Sequence, residues 1–115
     1  MFSQIYNFLK NKGYDVYSIG QHEGKCNNPY IVIQEKGIGQ ITGTRLSKST
    51  IDLLVYYPKG QYSKFPVWIN DLKLAMREFN KAKRVHDAMS TIIDDDKQAY
   101  HTSLTYEKIR TKEGA

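Results

Sequence analysis

Between Ser49 and Tyr57 apolar side chains return at every second position, with Ile51, Leu53 and Val55 on one face and Leu54 and Tyr56 on the other. That period belongs to an extended strand. A strand with a buried face requires a sheet with a cover on that side. The candidate cover stands next in the chain. Phe65, Ile69, Leu72, Met76 and Phe79 recur at steps of four, three, four and three. This spacing predicts a helix with one apolar seam and with Asp71, Lys73, Arg77 and Glu78 turned outward. Ser63 is placed to cap it, and Pro66 is tolerated only in the first turn, where its missing N–H costs no helical bond.

The remaining elements follow from the same two periods. Phe2, Ile5, Phe8 and Leu9 form the stripe of a short amphipathic helix that ends at Gly13, a residue suited to a left-handed C-cap. Tyr14 to Ile19, rich in aromatic and β-branched residues, reads as a first strand ending at Gly20, and residues 21–28 read as a polar loop. Pro29 opens a nearly unbroken apolar run through Ile33, the pattern of a central strand. Gly37, Gly39 and Gly43 punctuate an excursion over about 37–48, either an exposed loop or the arm of a long hairpin. Val85 and Thr91 to Ile93 suggest one or two short strands, and Asp94, Asp95, Asp96 and Lys97 a turn. In a last strand Tyr100, Thr102, Leu104 and Tyr106 alternate with His101, Ser103, Thr105 and Glu107. The tail from about Thr111 to Ala115 is expected to fray. Helix, strands, helix, strands without βαβ alternation predicts an α+β fold. It is a mainly antiparallel sheet covered on one face by an N-terminal helix and a longer central one.

At 115 residues, with 40% hydrophobic and 25% charged side chains, the chain fits one domain over 1–115 with a core that needs no metal or disulfide. No apolar run reaches the length of a membrane helix, and Met1 to Gln4 does not resemble a signal peptide, so an intracellular protein is expected. Cys26, the single cysteine, has no intramolecular partner for a disulfide. The net charge of +5 raises the possibility of nucleic-acid binding, but 13 of the 17 basic residues are lysines spread singly from Lys10 to Lys112. Specific phosphate and base grips favour arginine, so such a surface reads first as solubility.

No catalytic signature stands out. Three adjacent aspartates at 94–96 point in divergent directions and read as a hairpin turn rather than a cation site. His22, Glu23 and Cys26 fall short of the four ligands of structural zinc. The glycines at 37, 39 and 43 match neither dinucleotide nor phosphate-loop spacing. Nothing selects Cys26 with His86 or His101 as a nucleophile and base. No enzyme activity and no cofactor are expected. The nine tyrosines fit either protein–protein contact or the ordinary edge of a core.

Several strings, in their order, resemble a known group. They are Pro29 to Ile33, Ile51 to Tyr56, the helix with Trp68-Ile69-Asn70-Asp71-Leu72-Lys73, Ile92-Ile93-Asp94-Asp95, and Ala99 to Tyr106. Across most of the chain they are similar to the tail terminator and tail-completion (head–tail joining) proteins of long-tailed bacteriophages and prophages. The resemblance implies a structural virion protein, assembled in the bacterial cytoplasm and found in the tail or neck. It would form a ring, usually hexameric, that caps the tail tube and docks the head. Its implied partners are itself, the tube protein and head-completion or connector proteins, with DNA only as non-specific passage and no membrane. Neighbouring neck or head-completion proteins, and a small basic nucleic-acid-binding module, remain alternatives. On the ring reading, Ile38, Gln40, Ile41, Thr42, Arg45, Lys48, Tyr57 and Tyr62 are the expected contact residues, with Arg45 and Lys48 facing the lumen and DNA.

Overall fold

A computed structural model describes residues 2–20, 26–40, 46–60, 62–79, 82–85 and 91–111, with 36–40, 46–48 and 109–111 described in backbone only. The chain is α+β: two helices cover one face of a mixed, mostly antiparallel six-stranded sheet. In chain order the elements are α1 (Phe2–Asn11), β1 (Val16–Ser18), β2 (Tyr30–Gln40), β3 (Leu46–Pro58), a 3-10 turn (Tyr62–Lys64), α2 (Phe65–Glu78), β4 (Lys83–Arg84), β5 (Ile92–Asp94) and β6 (Ala99–Thr111). The strand order is β1-β2-β3-β6-β4, with β5 also paired to β6. Only β1 and β2 run parallel among the described strands.

Register explains the core. Ile33 stands opposite Leu53, which stands opposite Leu104, and Ile31, Val55 and Thr102 form the next row on the same face. Ile5 and Leu9 of α1 and Phe65, Leu72 and Met76 of α2 close over these rows. The helices also hold each other: Phe8 tilts against Phe79 at 5.3 Å, and Lys12 pairs with Glu78. Gly13 follows α1 with a φ of +94°, the left-handed geometry that glycine adopts without strain. At the other end of α1 the Phe2 N–H donates to the Glu35 carboxylate at 3.1 Å. An acid from β2 thus answers the positive end of a helix whose own first turn contains none.

Some local expectations are corrected. The first strand shortens to Val16–Ser18, because its parallel partner meets it only from Ile31 to Ile33. Tyr14 turns instead to Trp68, edge to face at 5.7 Å, and Ile19 is exposed. Ser63 does not cap α2. It lies within the 3-10 turn that leads into the helix, and Lys64 stands at the cap without a side-chain bond. Thr111 pairs with Leu46, so strand structure takes up the residue at which fraying was expected to begin, while 112–115 lie outside the described residues.

Candidate functional site

The strands outrun the helices. β3 and β6 each hold 13 residues, about 43 Å of strand, which sets the 48 Å long axis of a body 25 Å across. Among the described side chains, the core residues of the long strands fall between Tyr30 and Ile33, Ile51 and Tyr57, and Ala99 and Tyr106. Beyond them β2, β3 and β6 continue as a three-stranded arm, paired as far as Gln40 with Ser47 and Leu46 with Thr111. Within this arm β2 carries one extra residue between Glu35 and Ile38, a bulge against β3. Among the described residues β1 covers β2 only over Ile31 to Ile33, so from Gln34 to Gln40 the outer edge of β2 faces no described strand.

The expected contact residues divide. Ile38, Gln40 and Lys48 lie on the strands of the arm, while Ile41, Thr42 and Arg45 lie outside the described residues. Tyr62 is exposed at the start of the 3-10 turn, with its ring against Tyr100 at 5.1 Å. Tyr57 corrects the expectation. It extends the buried row of Ile51, Leu53 and Val55 and packs between Phe65 and Trp68, in the core rather than on a surface. The other tyrosines follow it inward: Tyr30 and Tyr106 are buried, and Tyr6, Tyr14, Tyr17, Tyr56 and Tyr100 are partly covered. On the sheet face away from the helices, Tyr17, Tyr30, Tyr56 and His101 form a row of ring contacts across four strands, with centroids 5.7, 4.8 and 4.3 Å apart. His101 Nδ1 donates to the Val55 carbonyl at 3.0 Å, which fixes the ring in that row.

A basic groove was not anticipated. α2 runs alongside β6, with Phe65 stacked on Tyr100 at one end and Met76 near Tyr106 at the other. Between helix and strand lie two hollows that share Lys73. One, about 350 Å³, is walled by Tyr62, Phe65, Pro66 and Ile69. The other, about 370 Å³, has Met76, Phe79 and Tyr106 as its floor and Lys73, Arg77, Lys83 and Arg84 around it, with no acidic residue among the described residues of its lining. Lys73 and Arg77 stand four residues apart on one helix, a like-charge spacing that disfavours the helix slightly. The two-residue β4 brings Arg84 opposite Tyr106. Burial pushes the Tyr106 hydroxyl up to about 12, against the opposing pull of Arg84. The sequence signal was present in that i, i+4 pair and in the run Lys81-Ala82-Lys83-Arg84 just beyond the helix.

Of the candidate chemical groups, Cys26, Asp94 and His101 are engaged in structure. Cys26 is buried, its Sγ donates to the Asn28 carbonyl at 3.2 Å, and burial pushes the thiol up to about 11, away from nucleophilic duty. Asp94 accepts the Lys97 N–H at 3.1 Å and closes the 94–97 turn. His22, Glu23 and His86 lie outside the described residues. Compared with known proteins, the chain matches no known family and no curated protein.

Proposed function

We propose that this chain is a structural assembly protein of a bacteriophage or prophage tail, which caps the tail tube and joins tail to head as a ring of like subunits, hexameric in the form the resemblance implies. The observation that carries this reading is the three-stranded arm, extending past the helical layer with the outer edge of β2 uncovered by any described strand. A strand edge of this kind takes up an extended segment from a neighbour through main-chain hydrogen bonds. A contact between two different patches repeats around a closed ring. The ordered strings from Pro29 to Tyr106 support the same reading. On it the protein acts by contact and no bond is made or broken. Its partners are its own copies, the tube protein and the head-completion or connector proteins, and DNA passes without sequence recognition.

Native mass spectrometry over a concentration series, with negative-stain imaging of the large species, tests the proposal. A closed ring, hexameric at saturation, is the expected result. A monomer at every concentration that binds duplex DNA with an affinity falling steeply as salt rises would transfer the function to nucleic-acid binding.

A further inference from the structure

We infer that the acidic turn of one subunit, with the exposed isoleucines beside it, seats in the basic groove of a second copy of this chain. This rests on the ring reading and gives it a second pair of meeting surfaces. The turn gathers three of the chain's 12 acidic residues in consecutive positions. Asp94 is occupied in closing it, while Asp95 and Asp96 are exposed. Lys59 reaches Asp95 only at 3.7 Å in an exposed pair, an interaction that solvent leaves weak. Directly before the turn, Ile92 and Ile93 are 50% and 52% exposed, one on each face of β5 as register partners of His101 and Tyr100. The turn is therefore acidic, with one exposed isoleucine on each side of the strand that leads into it.

The groove is its complement, apolar at Met76, Phe79 and Tyr106 and cationic around them. Arg77 and Arg84 offer forked donors that match a carboxylate bidentately. The hollow of about 370 Å³ suits a few side chains of a turn, whereas a duplex presents a convex surface and calls for cations spread along its length. One molecule cannot join its own two patches. The turn lies at the Ala99 end of β6 and Arg84 pairs with Tyr106, seven residues further along, about 23 Å of extended strand. Turn and groove therefore meet only between copies, head to tail, which is the heterologous contact that a ring repeats.

A charge exchange tests this. Asp95→Lys/Asp96→Lys and Arg77→Glu/Arg84→Glu should each require at least tenfold more protein to assemble, and an equimolar mixture should restore wild-type assembly, because reversed turn then meets reversed groove. If the second double variant does not fold by circular dichroism, Arg77→Glu, at an exposed helix position, takes its place. As a separate readout, one chain carrying Asp96→Cys and Arg77→Cys should form intermolecular disulfides under mild oxidation. Wild-type rings that neither reversal weakens, or a mixture that restores nothing, would overturn the contact while leaving the ring intact. Disulfides in a protein that native mass spectrometry finds monomeric would uphold the contact and sink the ring. Monomers without disulfides would sink both. DNA oligonucleotide binding lost on Arg77→Glu, with no disulfide formed, would give the groove to nucleic acid instead.

Discussion

Asp52 is a carboxylate with only 6% of its surface exposed, and the Thr105 hydroxyl on the neighbouring strand donates to its Oδ1 at 2.5 Å. The two residues are register partners on β3 and β6, so the bond ties together the two longest strands. A buried carboxylate that loses a donor bears the cost of its desolvation. Thr105→Val, nearly the same in shape, should lower unfolding free energy by about 1–3 kcal/mol in urea titration, and an unchanged midpoint would show that the bond contributes nothing net. His101 illustrates the same scale from the other side. Its position on the wetter face of the last strand was legible from alternation, but its bond to Val55 was not, since that depends on which strand lies beside it. Tyr57 was misread for a simpler reason. The alternation of Ile51, Leu53 and Val55 continues one step to residue 57, and following it would have put the ring in the core.

Among the elements, those with a sustained period were readable: α1, α2, β3 and β6 all bury the faces their spacing marks. β4 has two residues and β5 three, too short for any period, and their places come from pairing with β6. The basic groove was hidden for that reason, because its cations come from α2 and β4 and meet only once β4 pairs with β6 alongside α2. The arm divides from the body in its energetics as well. Among the residues whose side chains are described, core positions on its three strands end at Ile33, Ile51 and Tyr106. Replacing residues 37–48 by a two-residue Asn-Gly turn should therefore change unfolding free energy by no more than about 1 kcal/mol, since a shorter connection also closes at lower entropic cost. The same variant should lose ring formation in native mass spectrometry. A chain that unfolds would instead show that the arm belongs to the folding unit.

For the whole molecule, the buried hydroxyls and thiol act together at high pH. Burial is the leading cause that holds Tyr14, Tyr30, Tyr56, Tyr106 and Cys26 in their neutral forms beyond their ordinary ranges. Their folded pKa values lie above the unfolded ones, so the unfolded chain releases protons first as pH rises, and stability falls. The loss should begin near pH 9 to 10 and continue through about 11 for Cys26 and about 12 for Tyr106. Urea midpoints measured from pH 8 to 12 should decline over that window, and a flat profile would mean that these groups are solvated in the native state. The bulge between Glu35 and Ile38 bears on a different hazard. An uninterrupted strand edge is a template for fibrils, where each arriving chain copies the one before it. Here the extra residue breaks the even spacing of main-chain donors and acceptors partway along β2, so an incoming strand can stay in step on one side of it only. On the proposed ring reading, the arm holds one neighbour over a short length, while the bulge denies a stack of chains the continuous ladder that amyloid growth requires.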